Sequence, residues 1–201
     1  MSVGRNTSST AWVVTLIVAF GLMAFLPTFF TFIDGCEGVV PYEPLLGHLP
    51  AVDVTIPLFV VLYSALLVLV VLAIRSPLLV LRTIQAALIL LLLRMAMMAL
   101  VPLVPPPGLI TLQDPFTQWF YPTSEPFEKD LFFSGHTANM FLFALAIPSR
   151  RWRVVFAAAT IFIGVAVLVQ HVHWTVDVVA APFFAVLAWW CSKWTVAWST
   201  R

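Results

Sequence analysis

Apolar positions in this chain form long, nearly unbroken runs. They show neither the alternation of a half-buried strand nor the single stripe of a soluble amphipathic helix. A run of about 20 apolar residues is long enough to cross a bilayer as a helix. Six such runs are read, at roughly 11–31, 54–74, 78–103, 129–148, 152–172 and 174–194. The pattern predicts an all-α membrane protein, a six-transmembrane-helix bundle forming one domain over residues 1–201. The first run is too long for the h-region of a signal peptide and lacks a small-x-small cleavage site, so it reads as a retained span. Ser76-Pro77 reads as an N-cap followed by proline at N1, and Ser149 as a second cap. Pro182 is expected to kink the sixth run.

Composition strengthens this reading. The chain is 62% hydrophobic and 9% charged, more apolar than a soluble domain of this length requires. Its few charges are sorted. One set of span ends carries Arg5, Arg75, Arg150, Arg151, Arg153, Lys193 and Arg201; the other carries Lys129 alone among basic residues. The positive-inside rule then puts both termini in the cytoplasm. Asp34, Glu37, Glu43, Asp53, Asp114, Glu125, Glu128 and Asp130 fall in outer loops, with all four histidines on the same side. The carboxylates could simply fill the face that lacks Lys and Arg, but this does not explain the histidines. Cys36 and Cys191 are read as a membrane apart and unbridged. A net charge of +1 gives no sign of a nucleic-acid partner.

Two short polar motifs interrupt the apolar sequence: Phe133-Ser134-Gly135-His136-Thr137 and His173-Trp174-Thr175-Val176-Asp177. Ionisable groups at a membrane segment are costly and mark functional sites. His173 and Asp177 stand four apart, so they share a helix face. The carboxylate can fix the ring tautomer and stabilise charge on the imidazole, leaving the other nitrogen as a nucleophile. Ser134 can cap a helix beginning near Gly135, a ready anion site, and His136 presented there can protonate a leaving oxygen. Many His–Asp pairs are structural, but two motifs on one face make an active site the stronger reading. Two histidines and a carboxylate can also hold a metal, yet the anion-type helix start fits phosphate better, so no metal and no cofactor are expected. Arg94 lies about 25 Å along the third span, near the level of the motifs. It reads as a phosphate or carboxylate contact, with outward snorkelling as the alternative; Arg82 is expected to snorkel to the cytoplasmic surface. Between spans three and four, Pro105-Pro106-Pro107-Gly108 and the aromatics Trp119, Phe120 and Tyr121 suit an interfacial loop or a lid.

The Ser-Gly-His and His-x-x-x-Asp pair resembles the type 2 phosphatidic acid phosphatase superfamily. It is more similar to the sphingomyelin synthase branch, through Asp130-Leu131-Phe132-Phe133-Ser134-Gly135-His136-Thr137 and His171-Val172-His173-Trp174-Thr175-Val176-Asp177-Val178-Val179. The Cys-Gly that precedes the first segment in that branch is missing here. The resemblance implies an outward-facing site with His173 as nucleophile, Asp177 behind it, His136 as proton donor and Asp130 close to His136. Arg94, Asp130, Ser134 and Gly135 are then the substrate-binding candidates. The donor would be a membrane phospholipid, and the acceptor ceramide, diacylglycerol or water. Val167 stands where the superfamily's phosphatases carry an arginine, and their Lys…Arg-Pro element is absent. A site short of cations suits a phosphodiester better than a dianionic monoester, which favours headgroup transfer or phospholipase C-like hydrolysis over lipid phosphate phosphatase activity. A non-enzymatic transporter is the remaining reading, opposed by Gln85 being the only polar residue read in mid-membrane outside the two arginines. Few lysines with abundant Ala, Val and Leu point to a bacterial plasma membrane, the site facing the periplasm or exterior. Head group and self-association stay undetermined by the sequence.

Overall fold

A computed structural model describes residues 8–112 and 129–199. Trp119, Phe120, Tyr121, Asp114, Glu125 and Glu128 lie outside the described residues. Six α-helices are present among those described: α1 (Ser9–Asp34), α2 (Thr55–Ala73), α3 (Pro77–Leu100), α4 (Gly135–Ala146), α5 (Arg150–Val169) and α6 (Thr175–Ser199). All but α4 are long and apolar enough to cross a membrane. Their outer surfaces are apolar, with Ile17, Phe20, Ile56, Val179 and Phe183 each more than 60% exposed. Such a surface is stable against lipid, not water.

The fourth predicted run differs most from expectation. Only 12 of its residues are helical, a rise of about 18 Å, well short of the hydrocarbon thickness. Residues 129–134 lie outside regular helix. The ends of α4 are set locally, by the Ser134 cap at the start and by Pro148 just beyond the C-cap Ile147, and the packing accommodates its shortness. α4 sits among α2, α3, α5 and α6, and Thr137, Ala138, Met140, Leu142, Ala144 and Ala146 are all buried. Irregular backbone is tolerated at membrane depth where protein surrounds it.

Small residues let the helices approach. Ala181, Ala185 and Ala188 form one fully buried stripe of α6 against Ala86, Leu90 and Ala138. Gly164 of α5 has no Cβ where one would stand 3.0 Å from Val178 of α6, with the Thr137 methyl of α4 at 3.8 Å. That three-helix contact lies one residue from His136 and one from Asp177.

Ser76 and Ser149 occupy N-cap positions without side-chain cap bonds, so the caps expected there are backbone only. Pro77 opens α3, and α6 runs as continuous helix through Pro182. Arg82 does not simply snorkel. Its Nε donates to Ser192 Oγ at 3.2 Å and its Nη2 to the Trp189 carbonyl at 3.3 Å, while Cζ lies 3.7 Å from the Trp189 ring centroid. The side chain is long enough to bridge to α6 before it reaches the surface. Cys36 and Cys191 are both free.

Candidate active site

The first motif forms the start of α4. Ser134 is its N-cap; Oγ accepts from Thr137 N at 3.4 Å and shares a 3.1 Å hydrogen bond with Thr137 Oγ1. This meets one of the amides that a helix start leaves without intrahelical partners. Glycine at the next position lets Arg94 approach closely, since a Cβ at 135 would stand 3.1 Å from both its Cζ and Nη1 and push the guanidinium aside by a few tenths of an ångström. The helix end thus rests on a guanidinium. Arg94 is 8% exposed. Its Nε and Nη2 donate to Asp130 Oδ1 at 3.2 and 2.7 Å, and Nη2 also to the Asp130 carbonyl at 2.9 Å. Nη1 is buried without a partner. Arg94 is therefore a carboxylate contact with one donor left over. Asp130 is where it sets the fork.

The second motif forms the turn into α6. His173 is 1% exposed and Asp177 fully buried. Asp177 Oδ2 lies 3.3 Å from His173 Nδ1 and accepts from Trp174 N at 3.1 Å. One carboxylate oxygen thus orients the ring and caps the helix, as an acidic residue at N3 does in a capping box. Oδ1 is buried and unpartnered. With Nδ1 turned to the carboxylate, Nε2 is the ring atom available for chemistry.

The two motifs meet directly. Ser134 N donates to the Asp177 carbonyl at 3.1 Å. The His136 ring lies edge-on to Phe59 of α2, centroids 6.0 Å apart. The α5–α6 turn that carries His173 is tied to the α1–α2 loop and to the segment that follows α3. Both ring nitrogens of His171, whose φ is +55°, face carbonyls: Pro107 at 2.9 Å and Leu49 at 3.2 Å. Gln170 reaches Thr55, Val54 and Ile110, and Trp174 Nε1 donates to the Val104 carbonyl at 2.8 Å.

Lys129 is occupied. Its Nζ donates to the Asp34 and Cys36 carbonyls at 2.7 and 2.9 Å, closing the end of α1. Among the described residues no group of three or more metal-ligating side chains gathers. The sequence reading missed Glu43. Its Oε2 accepts from Thr175 N at 2.8 Å and its Oε1 from Thr175 Oγ1 at 2.7 Å, Leu45 N at 2.6 Å and Leu46 N at 3.0 Å. Partial burial raises its pKa, but these donors outweigh it and hold the carboxyl below the ordinary 4.5. The available signal was Trp174: a tryptophan at an N-cap cannot accept a hydrogen bond, so an acceptor had to come from elsewhere.

No curated protein matches the chain. Residues 129–194, about a third of it, match the family model described as PAP2 superfamily C-terminal, and that segment contains both motifs and the Arg94 partner Asp130. This part of the chain is therefore similar to the type 2 phosphatidic acid phosphatase superfamily, and five helices long and apolar enough to cross a membrane suggest a multi-pass membrane protein.

Proposed function

We propose that the protein is a phospholipid headgroup phosphotransferase of sphingomyelin synthase-like type, working without metal on the extracytoplasmic face of a six-span bundle. The observation that carries this is the Ser134–Asp177 backbone bond at 3.1 Å, which supports a single site built from an anion-binding helix start and a His–Asp dyad.

In the first step His173 Nε2 attacks the phosphorus of a phosphodiester. A nitrogen–phosphorus bond forms and the bond to the diacylglycerol oxygen breaks. Asp177 keeps Nδ1 protonated and stabilises the cationic ring. The departing alkoxide takes its proton from His136. In the second step an acceptor hydroxyl gives its proton back to His136 and its oxygen displaces His173 from phosphorus. Arg94 Nη1, Gly135 and Ser134 at the start of α4 form the anion seat for the phosphoryl oxygens.

The charge inventory favours a diester. Lys129 is committed to α1, and Asp130 neutralises Arg94. A seat with so little net positive charge stabilises one negative charge more readily than two. Water as acceptor would turn the same chemistry into phospholipase C-like hydrolysis. Purified protein given labelled phosphatidylcholine, phosphatidylethanolamine and phosphatidic acid, with and without ceramide, separates these outcomes. Headgroup transfer to ceramide or diacylglycerol is expected; cleavage of phosphatidic acid alone rejects the proposal in favour of a lipid phosphate phosphatase.

A further inference from the structure

The helix that carries Asp177 and follows His173 begins at a residue unable to cap it. Trp174 immediately precedes α6 and its carbonyl accepts from Asp177 N and Val178 N, so it holds the N-cap position, where a Ser, Thr, Asp or Asn side chain would ordinarily accept from the first turn. Asp177 supplies half of a capping arrangement by accepting from Trp174 N. The other acceptor arrives from the α1–α2 loop, 132 residues earlier in the chain. Glu43 takes Thr175 N and Thr175 Oγ1 on separate oxygens.

The Glu43 carboxylate is itself fixed. Leu45 N and Leu46 N donate to Oε1, so the acceptor is locked to its own loop before it meets α6. That loop is anchored again at Leu49, whose carbonyl faces His171 Nε2. The start of α6 is thereby clamped from outside its own segment, one residue after Trp174 and two before Asp177. Slackening the clamp lets Thr175 move, and with it the turn that sets the 3.3 Å contact between His173 and Asp177. A loss of about 1 Å of alignment at a nucleophile is enough to cost about a hundredfold in rate.

We infer that Glu43 is a positioning residue for the nucleophile, acting through Thr175 to hold His173 in line with Asp177. The inference rests on His173 being the nucleophile of the proposed transfer. It assigns Glu43 no contact with substrate, so its removal should lower kcat and leave KM nearly unchanged.

The test uses the whole protein in detergent or nanodiscs with the donor that turns over in the phosphatidylcholine, phosphatidylethanolamine and phosphatidic acid panel. Glu43→Ala is expected to lower kcat about 10- to 100-fold with KM within about twofold. Glu43→Gln, which keeps an acceptor oxygen but not the charge, should recover part of that loss. Glu43→Ala and Thr175→Ala should be non-additive, because each removes the same bond. Hydrogen exchange at the Trp174 and Thr175 amides, which needs no substrate, should quicken in Glu43→Ala while the α3 amides do not change. Wild-type kcat in Glu43→Ala, a loss confined to KM, full additivity with Thr175→Ala or unchanged exchange overturns the inference. If the wild-type protein transfers no headgroup, or His173→Ala retains turnover, the functional reading fails instead, and exchange still decides whether Glu43 holds α6.

Discussion

Two polar clusters lie buried toward opposite ends of α3, and they treat their hydrogen-bonding capacity differently. The inner cluster is closed. Gln85 donates to Thr15 Oγ1 and accepts from Thr195 Oγ1, Thr15 bonds back to the Ala11 carbonyl, and Arg82 spends its donors on Ser192 and Trp189. The outer cluster is open. Arg94 Nη1 and Asp177 Oδ1 are buried without partners. Leaving such atoms unpaired costs about 1–3 kcal/mol each, a cost the inner cluster avoids. Both clusters bind helices together, as polar groups do in membranes; among the described residues the outer one has buried polar atoms left unpartnered. A mainly apolar groove of about 490 Å³ lies over the inner cluster, lined by Val14, Leu88, Ile89 and Leu92 together with Thr15, Gln85 and Thr195.

The comparison breaks first at the outer end. His173→Ala should abolish the phospho-enzyme and lower turnover by more than about a thousandfold; trapping with labelled donor checks both, and full turnover in this variant or in His136→Ala rejects the site. Arg94→Gln should lower kcat about 10²- to 10³-fold. Arg94→Lys, which keeps the charge but not the fork, separates loss of the anion seat from loss of folding if its thermal midpoint matches wild type.

At the inner end effects should appear in stability instead. Gln85→Leu should change unfolding free energy by less than about 2 kcal/mol with kcat unchanged, measured by denaturant titration in detergent and by turnover. A large loss of activity there would erase the distinction. The smallest effect concerns pH. The Glu43 carboxyl is held below its ordinary 4.5, so its contribution to stability is complete above that value and lost as pH falls through the lowered one. Glu43→Gln should flatten the acid limb of a stability-against-pH curve and leave the neutral region parallel to wild type.

Much of this was written in local sequence. The apolar runs determined five helices long enough to span, because length and hydrophobicity suffice for that. Ser134-Gly135 fixed the start of α4, and the four-residue spacing fixed the His173–Asp177 pair, because capping and helix periodicity act within a turn. Tertiary structure decided the rest. α4 packs among α2, α3, α5 and α6. Arg82 bridges helices while Arg94 lies beneath a helix start, though the two share one helix and one charge. Lys129 is consumed by the end of α1, and Glu43 clamps α6 from 132 residues away. Periodicity carries no record of which distant group satisfies a lone amide or carbonyl. That choice is made only when the helices pack and each buried polar atom must find a partner or do without.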